Sequence, residues 1–473
     1  MVREALRYEQ VAEHIRDQVR RGVLRPGERV PSVRSLSRSL GVSVSTVVQG
    51  YGLLQDERLI EPRPQSGYYV KARMSRPPAP AMSRPETYPV PVTVSELALQ
   101  VIQAYQLPGL IQMGTALPRT DFPAVTRLHR ILANLARRSD PRLRDYDMPP
   151  GNAALRLQIA RLSIDAGVAV GPDDVVVTNG CQEALVLCLR AVAEAGDTIA
   201  IESPAFFGIL QAIESLGLKA LEIPTDPRHG ISLDALRLAL EQWPLKAVIL
   251  TPNFSNPLGC RMSDASKGEL VALLESAGVP LIEDDVYGDL NYVDVRPKAA
   301  KAWDRSGNVL LCSSLSKTLD PGLRIGWALP GRFRDRLIHL KLVNSMATAT
   351  LPAFAAAQYL ETGRHDRHLS SLRRIYRERR DRFLELAARL LPQGSRLTSP
   401  EGGFITWVEL PHGTDAIGLY HRALQRGVSI APGPLFSSSG KYRRFIRLNY
   451  AQVEYPDMAK GLSILNELLA RQA

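Results

Sequence analysis

The stretch 311–327, LCSSLSKTLDPGLRIGW, closes an apolar run with a turn of small hydroxyl residues and places one lysine, Lys317, inside that turn. The run VLLC reads as a short buried strand, and Ser314, Ser316 and Thr318 read as the turn that leaves it. Seven positions on, Arg324 ends a Pro-Gly-Leu-Arg turn. Two readings of Lys317 are open at this point. One is a surface lysine in a serine-rich loop; the other is a partly desolvated amine with a lowered pKa, ready to form a Schiff base with an aldehyde.

Working outward, the same form recurs. VVVTNGCQEALVLCL, TIAIESPAFFGIL, KAVILTPNFSNPLG and VPLIEDDVYGDL each run from an apolar strand into a polar cluster. In an open α/β sheet such clusters sit at the carboxyl ends of the strands, where ligands bind. Gly180, Cys181 and Gln182 follow a strand and open a helix, a layout that offers backbone N–H groups to a phosphate. Phe206 follows Pro204 and suits either stacking on a flat ring or core packing. Tyr146, before a Pro-Pro-Gly turn, reads by itself as an aromatic packed on a core.

An aldehyde cofactor with a phosphate and a flat ring matches this set, and pyridoxal phosphate is the one that fits. Ser314, Ser316 and Arg324 supply hydroxyls and a guanidinium fork for the phosphate. Asp284 beside the ring nitrogen keeps it protonated, so that the ring withdraws electrons. Tyr287 and Asn256 hydrogen-bond the ring oxygen. Lys317 holds the aldehyde and then serves as general base and acid.

At 473 residues the chain is expected to split into two or three domains. A formal charge of +11 permits a polyanionic partner without demonstrating one. Cys181, Cys188, Cys260 and Cys312 lack metal-ligand spacing and suit a reducing compartment; no metal is expected. The early Arg and Glu argue against a signal peptide, and no apolar run is long enough to span a membrane. A cytoplasmic location is expected.

Residues 8–21 carry Val11, Ile15 and Val19 at helical spacing. Ser32 caps a second helix that ends at Gly41, and Ser43 caps a third, whose buried face is expected to be Val47, Val48, Tyr51 and Leu54. LIEPRPQSGYYV supplies two short extended pieces around a Pro/Gly turn. This is a helix-turn-helix followed by a wing. Residues 71–92, with Pro77, Pro78, Pro80, Pro85, Pro89 and Pro91, read as a semi-extended linker. Residues 369–391 read as a long amphipathic helix whose arginines form either a solvated face or a DNA contact.

Two resemblances follow from these residues. The run from Arg29 to Val70, including Pro31, Ser32, Arg34, Leu36, Gly41, Ser43, Thr46 and Gly67, resembles the GntR-type winged helix-turn-helix. That resemblance implies that Arg34 contacts phosphate or a base edge, that Ser45 and Thr46 face the groove, and that Ser66 and Gly67 form the wing tip. Val44 and Val48 stand where many GntR-like proteins place arginines, which shifts the expected recognition toward phosphate contacts and operator shape.

Residues 105–470 resemble fold-type I enzymes of the aspartate aminotransferase superfamily. The marks are Tyr146, Gly180-Cys181-Gln182, Glu202-Ser203-Pro204 with Phe206, Asn256-Pro257, Asp284 with Tyr287, Ser314-Leu315-Ser316-Lys317, Gly322-Leu323-Arg324 and Arg447-Leu448-Asn449. The resemblance implies that Tyr146 reaches a phosphate in the neighbouring subunit's site, Phe206 stacks on the ring, Arg324 holds the phosphate and Arg447 binds a substrate α-carboxylate. Phe206 and Cys181 depart from a frequent Tyr and Ser.

The whole chain resembles the MocR/GabR regulators. The expected layout is a winged helix-turn-helix over 1–72, a linker over 73–95, a large α/β pyridoxal-phosphate domain over 96–368 and a small α+β domain over 369–473. The expected function is a DNA-binding regulator that senses an amine, an amino acid or the cofactor itself, as a head-to-tail homodimer on a double-stranded operator. The alternative is a metabolic aminotransferase with a vestigial DNA-binding domain.

Overall fold

The computed structural model describes residues 7–57, 59–63, 66–71, 77–138, 140–293 and 295–470. The chain forms two compact units that divide between residues 76 and 77.

The first unit is α1 (Arg7–Arg20), α2 (Val33–Leu40), α3 (Val44–Asp56), β1 (Ile60–Arg63) and β2 (Gly67–Val70). Both helix starts are capped as their serines predict: Ser32 Oγ accepts from Ser35 N at 3.2 Å, and Ser43 Oγ accepts from Thr46 N at 3.1 Å. Gly41, at φ 64°, ends α2 in the left-handed conformation that a side chain would disfavour. β1 and β2 pair antiparallel, Ile60 opposite Val70 and Arg63 opposite Gly67.

The core of this unit is Val11, Ala12, Ile15, Val30, Leu36, Val47, Tyr51, Leu54, Ile60 and Val70. Tyr51 donates its buried hydroxyl to Pro31 O at 2.6 Å, which ties α3 to the start of α2. Val48, expected in this core, is 48% exposed instead. One residue is a 100° step around a helix, and Val47, Tyr51 and Leu54 already fill the inward stripe.

The second unit is built on a nine-stranded sheet. In chain order the strands of the unit begin with β3 (Val90–Pro91), β4 (Ile111–Gln112), β5 (Val176–Thr178), β6 (Thr198–Ser203), β7 (Lys219–Asp226), β8 (Gly230–Ile231), β9 (Leu245–Leu250), β10 (Leu281–Asp284), β11 (Val309–Ser314) and β12 (Gly326–Leu329), of which all but β4 belong to this sheet. The order across the sheet is β3-β7-β6-β9-β10-β11-β12-β5, with β8 on β7. The central strands from β7 to β11 run parallel; β12 is antiparallel to both β11 and β5. β6, β10 and β11 are buried along their whole length, as sheet strands covered on both faces must be.

A second sheet joins β13 (Arg396–Leu397), β14 (Ile405–Glu409), β16 (Ala431–Pro432) and β17 (Phe445–Asn449) in the antiparallel order β13-β14-β17-β16. Between β14 and β16, β15 (Val428–Ser429) pairs in parallel with β4 and carries the chain near residue 111 to this smaller layer. The 26-residue helix His365–Leu390 leads into it. Three of its arginines are committed within the unit: Arg373 donates to Asp289 O at 2.8 Å, Arg380 to Pro400 O at 2.7 Å and Arg379 to Tyr450 O at 3.2 Å, while Arg374, Arg377 and Arg382 are exposed. Arg373, Arg379 and Arg380 therefore staple the helix to its own unit, and the exposed arginines form a solvated face.

The stretch read as linker, 73–95, is held by the second unit from residue 77 onward. Leu397 N donates to Pro78 O at 3.0 Å, Thr225 N donates to Ser83 Oγ at 2.8 Å, and β3 pairs with β7. Proline lacks an N–H and favours extended backbone, so a proline-rich segment suits the edge of a sheet as well as it suits a spacer.

Leu54→Ala removes a fully buried side chain from a small core. It is expected to destabilise the first unit by about 2–5 kcal/mol, much of a small domain's margin. Calorimetry of the full chain checks this: the transition of residues 7–71 falls while that of the second unit stays in place.

Candidate functional site: a buried lysine–arginine–aspartate pocket and a winged helix

β6, β10 and β11 end at Ser203, Asp284 and Ser314 on one edge of the sheet, and the chain leaving β9 brings Asn253 and Asn256 to the same edge. After β11 the backbone turns: Leu315 N donates to Ile325 O at 3.1 Å, and Ser316 N donates to Ser314 Oγ at 3.3 Å. Leu315 and Leu319 pack into the core and hold Lys317 at the rim. Its Nζ donates to Ala116 O at 2.9 Å. The residue keeps some solvent exposure, yet burial is the strongest influence on its amine; with the positive charge of Arg447 it lowers the pKa to about 8, against the opposing pull of Asp284 and Cys181.

Asp284 is 4% exposed, and burial raises its carboxyl to about 6. The Val286 N–H, which donates to Oδ1 at 3.2 Å, and the charge of Lys317 oppose the rise, while Asp285 adds to it. Cys181 Sγ approaches the same oxygen at 3.7 Å.

Arg447, on β17, is fully buried. It donates to Asn256 Oδ1 at 3.1 Å and to Gly114 O at 2.5 Å, and its guanidinium lies over the Phe436 ring at 5.1 Å. Its Nε has no partner, and among the described residues no carboxylate pairs with it. Burial lowers its pKa from the usual value. Tyr287 is 2% exposed with its hydroxyl unpartnered, and burial raises that hydroxyl's pKa.

On the other side of Asp284, Gly180 stands at φ 80° at the start of the helix Cys181–Val192. A Cβ at Gly180 would lie 2.3 Å from Arg324 Nη2, and one at Gly326 would lie 2.4 Å from Gly180 C. Glycine at both positions lets the Arg324 guanidinium, which donates to Asn179 O at 3.2 Å, close over the helix start. Arg324 itself is held at φ 54°, an uncommon conformation for a residue with a side chain. The first N–H groups of the helix and the arginine thus lie together, an arrangement that suits an anion.

Lys317, Asp284, Cys181, Arg324, Arg447, Asn256 and Tyr287 are therefore gathered by the structure. Gln182 is exposed and donates Nε2 to Gly208 O at 2.7 Å, which braces the loop carrying Phe206. Phe206 is half-buried, 4.8 Å from Phe207 between ring centroids. Tyr146 is 70% exposed and lies outside the cluster. Sequence reasoning missed Tyr105, whose hydroxyl donates to Gly114 O at 2.6 Å, and the backbone carbonyls of Gly114 and Ala116. Carbonyl contacts leave no residue signature; the small residues of MGTA were the only trace.

In the first unit Arg34 and Ser45 are exposed, and Thr46 is half-buried. The hydroxyls of Ser45 and Thr46 sit 2.8 and 2.7 Å from Ser43 Oγ. In the wing, Ser66 Oγ lies 2.5 Å from the Tyr69 hydroxyl, Arg63 lies over the Tyr69 ring at 4.3 Å, and Gly67 is exposed at φ 103°. Residues 1–76 hold 14 Lys and Arg against 8 Asp and Glu, a net +6 of the chain's +11. The excess charge is thus concentrated on the smaller unit, as an electrostatic footprint for DNA requires.

Fold and site define a winged helix-turn-helix joined to a fold-type I aminotransferase scaffold. Residues 111–465 match the family described as aminotransferase class I and II, and residues 7–70 match the bacterial regulatory proteins of the gntR family. The chain is 40% identical to YjiR of Escherichia coli, described as an uncharacterized HTH-type transcriptional regulator, over 94% of this chain and 95% of that one. A second such regulator of the same organism, YdcR, is 41% identical over 94% and 95%.

Among solved structures, the multiple substrate aminotransferase of Thermococcus profundus is 28% identical, with a TM-score of 0.74 over 80% of this chain and 96% of that one. The α-aminoadipate aminotransferase LysN of Thermus thermophilus, complexed with N-(5'-phosphopyridoxyl)-L-leucine, is 28% identical with a TM-score of 0.72 over 80% and 99%. The chain belongs to the class I and II aminotransferase family, in its branch of MocR/GabR-type GntR regulators. Pyridoxal phosphate is the cofactor of that family, and the residues here fit it: a buried amine, a buried carboxylate, a glycine-lined anion cradle and two unpartnered buried polar groups. No helix among the described residues is long and apolar enough to cross a membrane.

A lysine whose pKa is depressed loses its proton at lower pH than usual. Acylation of Lys317 in cofactor-free protein, followed by mass spectrometry across pH, is expected to reach half its maximal rate near pH 8, well below the ordinary lysine value of 10.5.

Proposed function

We propose that this protein is a DNA-binding transcriptional regulator whose second unit takes up an amino acid or amine together with pyridoxal phosphate and reports that event to the winged helix. The observation that carries this reading is Arg447: a fully buried guanidinium with a free Nε and no carboxylate partner. A buried charge of this kind awaits an anion, because leaving it unpaired is costly. A ligand carboxylate at Arg447 sets a neighbouring amine among Lys317, Asn256 and Tyr287.

When bound, pyridoxal phosphate supplies an aldehyde that condenses with amines and a ring that withdraws electrons. Lys317 is the residue whose amine would hold that aldehyde. Its Nζ, lowered to about 8, then accepts or returns a proton at neutral pH. Asp284, mostly ionised above about pH 6, would hold a proton on the ring nitrogen, and Arg324 with Ser314, Ser316 and the helix start at Gly180, Cys181 and Gln182 would hold the phosphate. Phe206 would cover one face of the ring.

The protein acts as a homodimer, arranged head to tail. The 70% exposure of Tyr146, with no partner for its ring, suits a residue that serves the neighbouring subunit's site. On the DNA side Arg34, Ser45 and Thr46 meet the operator from α2 and α3, and Ser66 and Gly67 meet it from the wing.

The same pocket suits transamination, since Lys317 combines a lowered pKa with proximity to Asp284 and Arg447. Catalysis is therefore a second property of the sensing site. A metabolic enzyme with a vestigial DNA-binding part is disfavoured, because α2 and α3 keep both serine caps and a complete core.

Arg447→Met tests the reading. Cofactor uptake, followed by visible absorption, is expected to persist, while the concentration of α-amino acid needed to perturb that absorption rises about a hundredfold, the loss of two charge-assisted hydrogen bonds. Simple amines without a carboxylate should act on wild type and variant alike. An unchanged response to amino acids would sink the assignment of Arg447.

A further inference from the structure

The recognition helix carries an unusual front face. α3, VSTVVQGYGLLQD, contains no lysine or arginine. Its back face is fixed by the core: Val47, Tyr51 and Leu54 are buried, and a Cβ on Gly50 would come within 2.9 Å of Tyr8 O on α1. The front face is therefore Val44, Ser45, Val48 and Gln49, all exposed. Val44 and Val48 are 50% and 48% exposed and stand four residues apart, so their isopropyl groups form one stripe over the first turn and a half. Scattered exposed valines carry no meaning, but these two stand together on the face of α3 opposite its core, on a helix without a lysine or arginine.

Arginine at such positions reads guanine through its O6 and N7 acceptors; valine cannot. The apolar group that the major groove offers is the C5-methyl of thymine. Valine is stiff about χ1, so its methyls are already ordered before binding. Gln49, beside Val48, has the amide that pairs with the N6 and N7 of adenine. Phosphate attraction comes from the net +6 of residues 1–76 and not from α3 itself.

The geometry points to Val44 and Val48 as thymine readers: the operator half-site carries thymines whose 5-methyl groups pack against this stripe, and base specificity there is apolar. The inference rests on the reading of α3 as the helix that enters the groove, and it adds a direct base contact to recognition expected from phosphate contacts and DNA shape.

The test uses the full chain. A randomised duplex pool is selected on the protein, and each thymine of the enriched site is replaced singly by deoxyuridine, which removes the methyl and keeps base pairing. Affinity is measured for wild type, Val44→Ala and Val48→Ala. One or two thymines per half-site are expected to show a loss of about fourfold on replacement, the effect of exposing one apolar carbon. That loss should vanish in the variant lacking the matching valine. No loss at any thymine in wild type, or a loss that persists in both variants, overturns the thymine readers while leaving DNA binding intact. Altered subunit association of the variants in sedimentation, with no deoxyuridine effect, assigns the stripe to a protein contact and overturns the inference too. A pool that enriches no sequence defeats the groove-facing reading of α3 itself.

Discussion

A buried guanidinium with no acid to neutralise it among the described residues organises the second unit. Arg447 is held by the side-chain oxygen of Asn256, the carbonyl of Gly114 and the face of Phe436, three weak acceptors around a full charge. Its positive field reaches Lys317 and, with burial, lowers the amine toward neutrality. Asp284, a carboxylate near that amine, is itself raised by burial. The proton affinity of each group is thus displaced from its ordinary value, and an anion at Arg447 with a ring nitrogen at Asp284 would relieve the displacement.

The sheet makes this arrangement possible. Parallel strands end on one edge, so residues as distant in sequence as Ser203, Asn256, Asp284 and Ser314 meet without long loops. β17, in the smaller layer, brings Arg447 from more than a hundred residues further along the chain. The chain after residue 76 lies along both layers: Ser83 meets Thr225 at the end of β7, and Pro78 meets Leu397 on β13. Ser203, at the foot of the Phe206 loop, also contacts the Tyr442 hydroxyl at 2.6 Å. The segment leading from the winged helix is therefore bonded to the layers that frame the ligand pocket.

Much of this was legible from the residues. The repeated passage from apolar strand to polar cluster located Asn256, Asp284 and Lys317, because β-strands covered on both faces must be apolar until they reach the ligand edge. The serine caps of α2 and α3 were equally plain. Three features were not. Val48 was assigned to the core because hydrophobicity marks a residue as apolar without saying which way it points. The proline-rich stretch was read as free because proline suits both a spacer and a sheet edge. Gly114 and Ala116 were passed over since their contribution is a backbone carbonyl.

The central claim is that uptake at Lys317 is felt at the DNA. It is tested most directly by measuring operator affinity of the cofactor-loaded wild type and of Lys317→Ala, given the same cofactor, with and without an amino acid that perturbs the wild-type absorption spectrum. The account predicts that the amino acid changes wild-type affinity and leaves that of Lys317→Ala unmoved; an equal change in both proteins, or none in wild type, would contradict it.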